Sequence, residues 1–356
     1  MNMKRCKILV MRFSSLGDLI LMTPLIRALR EGLPESEIHV ACKAKYVDIF
    51  TENTYIDRVH MLHGGGFRKL LRMLMRLRGE RYDIVIDAHG VLRSRFLFHL
   101  LPAAHRITIE KEHTKKLLLI GGKVNLYGDI VSQSSRYLKI AKRLGLKARD
   151  LPTELPIPAT AGERVGELLV RGGIAWKTIV AVAPGARWET KRWPAAHFAE
   201  LVGALSERGI GTILIGGEEE IQLGAHIAGL CPGTLDLTGR LSILETGAAL
   251  KHCDCLVTND SAPLHIAEAV GTPVVAMFGP TVREFGYYPR LPRSIAIDAD
   301  LDCRPCSRNG ARPCPLGTKE CLESIPPSRV LAAIERLLRI DAMGAVPSRT
   351  GNRSHS

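Results

Sequence analysis

Three prolines within eight residues, at positions 151–158, divide this chain of 356 residues into two stretches of similar pattern. Closely spaced prolines favour extended, exposed backbone, which is typical of a linker between domains. On each side of the linker, short apolar runs alternate with turns and with amphipathic segments. This alternation predicts, in each half, a parallel β-sheet with helices on both faces, which is a doubly wound α/β domain.

The predicted elements follow the same order in both halves. In the N-terminal half, the predicted strands are residues 7–13, 38–42 and 82–87, and the predicted helices are residues 19–30 and 93–100. In the C-terminal half, the predicted strands are residues 178–183, 211–215, 255–258 and 273–278, and the predicted helices are residues 194–208, 219–229 and 264–270. We therefore predict two Rossmann-like domains, a closing helix and a disordered polar tail, at residues 1–155, 156–325, 326–342 and 343–356.

The turns after the strands are the places to look for chemistry, because a doubly wound sheet binds ligands at the carboxyl ends of its strands. The first turn, residues 14–18, ends in Asp18, which stands at a predicted helix start. Its carboxylate is a candidate general base facing the cleft between the domains, and the alternative is a carboxylate that only caps the helix. Neither the glycine pattern of dinucleotide-binding folds nor the P-loop pattern occurs in the sequence.

Two turns of the C-terminal half carry charges that suit a nucleotide. Residues 184–194 combine a glycine turn with Arg187, Lys191 and Arg192 just before a predicted helix. This arrangement suits a diphosphate, and a cationic surface loop is the alternative. Residues 216–217 are two glycines followed by three glutamates, which indicates either a carboxylate on ribose hydroxyls or an acidic first helical turn.

A further turn, at residues 258–265, places Asp260, Ser261 and Ala262 at a helix start and His265 one turn further on. A carboxylate, a hydroxyl and free backbone N–H groups at a helix start are typical of a phosphate site. A lone histidine in a helix is usually structural, but His265 shares a helix face with the turn. We therefore include His265 among the candidate binding residues.

The net charge of +13 is concentrated in one part of the chain. Residues 60–150 contain nineteen Lys or Arg and seven Asp or Glu, which accounts for 12 of these 13 charges. Such an excess indicates an anionic partner: nucleic acid, a membrane surface or a phosphorylated substrate. Aromatic residues make up only 5% of the chain, which argues against binding of single-stranded nucleic acid by base stacking.

Three of these cations, Arg68, Arg72 and Arg76, recur every fourth residue on a predicted helix, beside an apolar stripe. One interpretation is a surface that meets anionic lipid or a phosphorylated substrate. The other interpretation is a solvated helix face.

The sequence has no apolar stretch of the ~18–20 residues that span a bilayer, and charged residues interrupt the N-terminal run that a secretory signal needs. Nine cysteines, an odd number, cannot all pair in disulfides. We therefore expect a reducing compartment, the cytoplasm. The spacing of Cys303, Cys306, Cys314 and Cys321 permits a four-thiolate structural zinc site, and reduced loop thiols are the alternative.

The ordered set of turns resembles that of glycosyltransferase family nine, the ADP-heptose:lipopolysaccharide heptosyltransferases. The matching motifs are Ser14-Ser15-Leu16-Gly17-Asp18, Lys191-Arg192-Trp193-Pro194, Gly216-Gly217, and Asn259-Asp260-Ser261 with His265. The resemblance implies a GT-B fold, in which two Rossmann-like domains face each other across a cleft. It also implies an inverting, metal-independent transfer without a cofactor. In this family the N-terminal domain binds the acceptor and the C-terminal domain binds ADP-heptose.

The resemblance also implies roles for residues of the donor half. Lys191 resembles the lysine at the donor diphosphate, and Glu220 resembles the carboxylate on the donor ribose, with Glu219 as the alternative in register. The residues that resemble the turn around the phosphates and the heptose are Asp260, Ser261, Ala262 and His265. Family members often carry small hydroxyl residues before the lysine, where this chain has Ala186 and Arg187. Arg187 is therefore a candidate substitute at the phosphates.

On the acceptor side, Asp18 resembles the proposed base of the family, and Arg93 resembles a basic acceptor position. The candidate acceptor-binding residues are Arg68, Arg72, Arg93 and Arg136. The resemblance implies an acceptor of the lipid A–Kdo type at the inner face of the inner membrane. We expect peripheral contact with that anionic membrane and no binding of nucleic acid.

Three alternatives stay open at this point. A nucleotide-sugar epimerase has a similar fold but needs no acceptor, which would leave the basic N-terminal half without a partner. A glycosyltransferase of the same family with another donor sugar would share the same motifs. A basic module that binds nucleic acid is disfavoured by the low aromatic content and by the glutamates after residue 217.

Overall fold

The computed structural model describes residues 6–173 and 176–343, and each half of the chain contains one parallel β-sheet. The strands of the first sheet are β1 (Lys7–Met11), β2 (Glu37–Lys43), β3 (Arg58–Leu62), β4 (Ile84–Asp87) and β5 (His105–Thr108). The strands of the second sheet are β6 (Ile179–Ala183), β7 (Gly211–Leu214), β8 (Leu235–Asp236), β9 (Cys255–Asn259), β10 (Val274–Phe278) and β11 (Ile295–Asp298).

Helices connect the strands and cover both faces of each sheet. The helices of the first half are α1 (Leu16–Leu21), α2 (Thr23–Gly32), α3 (Asp48–Thr51), α4 (Phe67–Gly79), α5 (Leu92–Leu100), α6 (His113–Gly121) and α7 (Gln133–Arg143). Those of the second half are α8 (Ala159–Arg171), α9 (Ala195–Ser206), α10 (Ile221–Leu230), α11 (Ile243–Lys251), α12 (Ala262–Ala269), α13 (Glu320–Glu323) and α14 (Pro327–Met343). Within the described ranges, no helix combines the length and the apolar character that crossing a membrane requires.

The strand order is β3-β2-β1-β4-β5 in the first sheet and β11-β10-β9-β6-β7-β8 in the second. All described strand pairs are parallel, so the carboxyl ends of the strands meet at one edge of each sheet. The order reverses direction between β1 and β4 and between β6 and β9, and a crevice opens outside the sheet at such a reversal. The predicted fold class, two doubly wound α/β sheets, is confirmed.

The structure corrects one predicted helix, residues 19–30, which is two helices. α1 ends at Leu21, and α2 begins at Thr23 with Pro24 in its first turn. Proline has no backbone N–H and fits only the first turn of a helix, so Pro24 starts a new helix. The edge strands β3 and β5 are not predicted from the sequence, because their polar residues interrupt the apolar runs that mark buried strands.

The C-terminal helix α14 packs on the second sheet through Val330, Ile334 and Leu337, which share an apolar core with α9. It coincides with the segment that the sequence analysis assigns to a closing helix. The domain boundaries at residues 155 and 325 stay predictions. Of the predicted disordered tail, Met343 ends α14, and residues 344–356 lie outside the described residues.

Contact between α1 of the first half and α12 of the second half brings the two sheets together. Gly17 lies directly under the ring of His265, so closely that a Cβ added at Gly17 would lie 2.4 Å from His265 Cδ2. Only a residue without a side chain fits at this distance. Since α1 follows β1 and α12 follows β9, this contact holds the carboxyl ends of the two sheets against each other.

A second bridge between the halves is the buried side chain of Arg136 on α7. Its guanidinium donates to the backbone oxygens of Phe285 at 2.6 Å and Glu284 at 2.8 Å, and it pairs with Glu112 at 2.8 Å. The charge of Arg136 is therefore paired with Glu112, and at least two of its N–H groups donate to backbone oxygens of the protein. Arg136 therefore bridges the two halves, and its role as an acceptor-binding cation stays a prediction.

The close approach at Gly17 predicts a specific energetic coupling. Gly17→Ala should lower the free energy of unfolding by about 1–3 kcal/mol, because the new methyl group overlaps the His265 ring. In a His265→Ala background the same change should be neutral or stabilising by up to about 1 kcal/mol, since alanine is the better helix former. Urea unfolding of the four proteins of this double-mutant cycle measures the coupling.

The matched control for this cycle is Gly203→Ala in α9, where a Cβ would meet no atom within 4 Å. It should cost nothing in either background. Equal effects of Gly17→Ala with and without His265 would contradict the close approach.

The bridging role of Arg136 predicts a loss of stability. Arg136→Ala should lower the free energy of unfolding by about 2–3 kcal/mol, because two buried carbonyls lose a charged donor. Lys139→Ala, which removes an exposed cation from the same helix, should change it by less than about 0.5 kcal/mol. Unfolding curves of the two variants measure the difference. A stable Arg136→Ala protein with weakened acceptor binding would instead support the acceptor role.

Candidate active site

Four turns at the carboxyl ends of β1, β6, β7 and β9 carry the predicted site residues. Asp18 follows β1, Lys191 follows β6, Glu220 follows β7 and Asp260 follows β9. Because the strand order reverses between β1 and β4 and between β6 and β9, Asp18 and Asp260 each lie beside a crevice of their own sheet. The contact between α1 and α12 turns these crevices toward each other.

The carboxylate of Asp18 has two differently used oxygens. Oδ2 accepts hydrogen bonds from the hydroxyl of Ser15 at 2.5 Å and the backbone N–H of Ser15 at 3.3 Å, and it lies 2.8 Å from the guanidinium of Arg12. Oδ1 accepts a hydrogen bond at 3.2 Å from Tyr287, a residue of the second half. The capping role and a role in the cleft therefore coexist, each on its own oxygen.

The surroundings of Asp18 keep it ionised. Burial acts to raise the pKa of its carboxyl group, but the charge of Arg12 and the hydrogen bonds from Ser15 outweigh burial and lower the pKa to about 2. Arg12 is itself buried and donates to the backbone oxygen of Ala88 at 2.5 Å. The sequence analysis missed Arg12 and Tyr287, although Arg12 stands in the chain between β1 and the turn.

Further cations that the sequence analysis did not single out line the cleft around Asp18. Lys111 donates to the backbone oxygen of Gly90 at 3.1 Å. The Nζ of Lys116 lies 5.2 Å from the ring centre of Phe285 and 5.9 Å from that of Tyr287. Burial, together with nearby cations, lowers the pKa of Lys116 to about 8. The charge of Asp18 acts to raise the pKa of both lysines, so both lie within electrostatic range of its carboxylate.

His89, after β4, stands on the same side of the cleft. It accepts a hydrogen bond at Nδ1 from the backbone N–H of Phe13 at 3.4 Å. Burial and the charges of Arg12 and Lys111 lower its pKa to about 3, so the ring is neutral at pH 7. The neighbouring Arg93 is the second residue of α5, and its charge contributes, with burial, to a lowered pKa of Lys43 at the end of β2.

On the other side of the cleft, Lys191 and Asp260 form an ion pair with Nζ and Oδ2 2.5 Å apart. The same oxygen accepts a hydrogen bond from the hydroxyl of Thr281 at 2.7 Å. Both charged side chains are largely buried, with 13% of Lys191 and 6% of Asp260 exposed. The two residues that the sequence assigns to a phosphate site are therefore brought together, and each neutralises the other.

The turn that carries Lys191 is held in place by Asn259 at the end of β9. The Asn259 side chain donates to the backbone oxygen of Pro184 at 2.8 Å and accepts from the backbone N–H of Trp193 at 2.9 Å. Trp193 is buried and donates its indole N–H to the backbone oxygen of Ile325 at 2.9 Å. These contacts fix both ends of the turn and leave its middle, with Lys191, facing the cleft.

Glu220 lies over the glycine turn after β6. A Cβ at Gly185 would lie 2.3 Å from Glu220 Cγ, and the backbone N–H of Gly217 donates to Glu220 Oε2 at 2.8 Å. The alternative in register, Glu219, is exposed, whereas Glu220 is half-buried. The geometry therefore favours Glu220 as the carboxylate of this site.

The N-terminus of α12 supplies unpaired donors to the cleft. Ser261 is its N-cap and Ala262 its first residue, and the Ser261 hydroxyl lies 3.3 Å from that of Thr258. The first backbone N–H groups of a helix have no partner within the helix and attract anions. His265, one turn on, is buried, and burial lowers its pKa to about 4. Its Nδ1 has no hydrogen-bond partner in the described part of the chain.

Other predicted residues lie outside this constellation. Arg187 is exposed, and its guanidinium lies 4.9 Å from the ring centre of Trp188. Its charge helps to lower the pKa of Lys43 in the first half. Arg68 and Arg72 are exposed on α4, on the outer face of the first sheet. Their charges are free to meet an anion, but not at the Asp18 carboxylate.

The four cysteines of the predicted zinc site are all free thiols, and Cys321 is buried while the other three are half-buried. Among the described residues, the set of three metal-ligating side chains whose ligand atoms gather within 4.8 Å is His39, His60 and Glu80. Burial raises the pKa of Cys306 and Cys321, and the neighbouring thiols of the same set add to both shifts, so the four cysteines lie near one another. The zinc site stays a prediction. Glu80 is itself paired with Lys7, so this second set already serves a buried polar network.

The comparisons with known proteins agree with this architecture. A family model described as glycosyltransferase family 9 (heptosyltransferase) matches residues 70–315. Lipopolysaccharide heptosyltransferase 3 of Escherichia coli is 27% identical over 347 residues, which cover 94% of this chain and 99% of the relative.

Two solved structures have the same fold. One is a glycosyltransferase family 9 protein from Veillonella parvula DSM 2008, with a TM-score of 0.79 and 23% identity, covering 94% of this chain and 97% of that one. The other is the ADP-heptose LPS heptosyltransferase II of E. coli, with a TM-score of 0.75 and 22% identity, covering 94% and 99%. With two doubly wound sheets in the GT-B arrangement and a family match across most of its length, this chain belongs to glycosyltransferase family 9 and is a glycosyltransferase.

Proposed function

We propose that this protein transfers a heptose from ADP-heptose to the inner core of lipopolysaccharide, with inversion at the anomeric carbon and without a metal ion. The names of its relatives support the donor and the acceptor class. The observation that carries the proposal is the meeting of Asp18 from one half with Lys191, Asp260 and the start of α12 from the other.

The donor diphosphate fits the start of α12 and the ammonium of Lys191. Free N–H groups at Ser261 and Ala262 favour an anion, and Lys191 neutralises charge that develops on the departing phosphate. In the resting protein Asp260 takes that ammonium, so we infer that Lys191 exchanges Asp260 for the diphosphate when the donor binds. Glu220 then accepts hydrogen bonds from the ribose hydroxyls.

The acceptor hydroxyl fits Oδ1 of Asp18, the oxygen that Tyr287 occupies in the resting protein. As the acceptor oxygen bonds to C1 of the heptose, the C1–O bond breaks, its electron pair leaves with ADP, and the proton passes to Asp18. A base with a pKa near 2 is weak. It suffices because the hydroxyl becomes strongly acidic only as the new bond forms.

The anionic part of the acceptor fits the cations around Asp18. Lys111 and Lys116 lie within electrostatic range of Asp18, and Arg93 lies within range of His89, so we infer that these cations recognise phosphates and carboxylates of a lipid A–Kdo type acceptor. Such an acceptor is presented at the inner face of the inner membrane, so we propose a cytoplasmic enzyme that contacts this membrane peripherally. Arg187, exposed at the cleft edge, is proposed to reach the donor phosphates when the halves close.

The experiment that tests this function incubates the protein with ADP-heptose and a defined Kdo-containing core acceptor in the presence of a chelator. We expect a product heavier by one heptose by mass spectrometry, with the anomeric configuration opposite to the donor's by NMR. Turnover of the nucleotide sugar without acceptor would support an epimerase instead. Transfer from other nucleotide sugars but not from ADP-heptose would show that the donor is a different sugar. Loss of activity with chelator would overturn metal independence.

The role of Asp18 predicts a loss in the chemical step. Asp18→Asn should lower kcat by roughly 10²–10⁴-fold while ADP affinity stays near that of the unaltered protein, because the base touches only the acceptor. Asp48→Asn, which alters an exposed carboxylate in the first turn of α3, is the matched control and should leave both unchanged. Near-normal turnover of a folded Asp18→Asn protein would refute the assignment.

The role of Lys191 predicts a loss in nucleotide binding. Lys191→Ala should weaken ADP binding by about 1.5–3 kcal/mol, because the diphosphate loses a charge-assisted partner. Lys319→Ala removes a cation that pairs with Glu189 of the same turn at 3.2 Å and should leave ADP affinity unchanged. Isothermal titration calorimetry measures both. Equal ADP affinity in the two variants would locate the phosphate site elsewhere.

A further inference from the structure

Two helices on the outer face of the first sheet, α4 and α5, contain no acidic residue. Their cations are Arg68, Lys69, Arg72, Arg76 and Arg78 on α4 and Arg93 and Arg95 on α5. All of these side chains are exposed except that of Arg93, which is half-buried at the edge of the cleft. The exposed charges of these two helices are therefore all positive.

Each of the two helices also exposes an apolar stripe with a spacing of four residues. The stripes are Phe67, Leu71 and Met75 on α4 and Leu92, Phe96 and Leu100 on α5. The exposed fraction is 64% for Phe67, 62% for Met75 and 88% for Leu92. Side chains four residues apart lie on one helix face, so each stripe is continuous.

The two stripes join into one surface, which we call the α4–α5 platform. The rings of Phe67 and Phe96 contact edge to face, with centroids 5.6 Å apart. Beneath the platform, Leu70, Leu74 and Leu77 of α4 are buried in a core shared with α5 and the sheet. The exposed side chains therefore stand on a packed base, and nothing in the described chain covers them.

We propose that the α4–α5 platform docks on an anionic lipid bilayer and inserts Phe67, Leu71 and Met75 into it, while the flanking arginines bind lipid phosphates. Helices that combine an apolar stripe with basic residues beside it lie in the membrane interface in this way. This inference rests on the proposed function, which gives the protein a lipid-anchored acceptor.

The charge pattern selects a lipid surface over a protein partner. A row of arginines without any carboxylate between them matches a plane of uniform negative charge, and each such cation contributes about a factor of five to binding. The platform also ends at the cleft, because Arg93 at the start of α5 influences Lys43 and His89. A bilayer on the platform would therefore contact the half of the protein that carries Asp18.

The test measures cosedimentation with vesicles of phosphatidylcholine alone or with 30% phosphatidylglycerol, at low salt. The triple variant Phe67→Gln, Leu71→Gln, Met75→Gln removes the apolar stripe and is expected to lower affinity for the anionic vesicles at least tenfold. The triple variant Arg68→Ala, Arg72→Ala, Arg76→Ala is expected to lower it about a hundredfold, and less at high salt.

Matched controls come from the second half, where other exposed apolar and basic side chains lie on helices. The apolar control is Val170→Gln, Ile221→Gln, Leu230→Gln, and the basic control is Arg171→Ala, Arg329→Ala, Arg336→Ala. Both controls are expected to bind vesicles like the unaltered protein. Platform variants that bind as the controls do would overturn the proposal, and such a result would favour a protein partner for this face.

Insertion is distinguished from surface adsorption by one introduced tryptophan, whose fluorescence is read as the difference from the unaltered protein with its three tryptophans. Leu71→Trp fluorescence should shift to the blue and be quenched by brominated lipids, whereas Ile221→Trp fluorescence should not change. Unquenched Leu71→Trp in bound protein would overturn insertion.

The outcome for the platform is separable from that for the proposed function. The apolar triple variant should transfer sugar to a lipid-free core oligosaccharide at the normal rate and lose activity only on vesicle-embedded acceptor. If neither the unaltered protein nor any variant transferred sugar, while the unaltered protein still bound vesicles, the proposed function would be contradicted. The proposal for the platform would be unaffected.

Discussion

The close packing of Gly17 against His265 is the contact on which the site depends. It is possible only because position 17 has no side chain, and it joins the helix after β1 to the helix after β9. Each of these helices begins at the carboxyl edge of its own sheet, beside the point where the strand order reverses. The contact therefore brings together the proposed base, carried by one sheet, and the proposed anion site, carried by the other. Either crevice alone would bind one substrate and could not position it against the second.

The two groups that we propose to meet the substrates, Asp18 and Lys191, are both held by partners that a substrate would replace. Tyr287 donates to the free oxygen of Asp18, and Asp260 takes the ammonium of Lys191. Buried charges without partners are costly, so these pairs stabilise the site. The partners of each group come from the second half, and both sit close to the cleft. The Tyr287–Asp18 contact also joins the two halves, so a substrate that replaces Tyr287 changes a contact between them and links occupancy at Asp18 to closure.

The sequence sufficed for the fold class and for the turns that carry Asp18, Lys191, Glu220 and the start of α12, because buried parallel strands are continuous apolar runs and turns carry recognisable glycines. It did not suffice where the signal lies between distant segments. Arg136 looks like a free cation in the sequence, and only the fold places the carbonyls of residues 284 and 285 against it. Tyr287 and Lys116 have no motif and reach Asp18 through tertiary packing.

The cations of the first half lie in two environments, one partly buried and one exposed to water, and their interactions with anions differ in strength. Arg12, Lys111 and Lys116 sit within the cleft, where partial burial strengthens each interaction with an anion and shifts the pKa of Lys116. The arginines of α4 sit in water, where each contributes little alone and salt screens them. Such exposed charges become effective when many meet one extended anionic surface at once, and the neighbouring apolar stripe adds the energy that salt does not weaken. The cleft cations are therefore suited to recognising one acceptor molecule, and the platform is suited to holding the enzyme on the surface in which that acceptor is anchored.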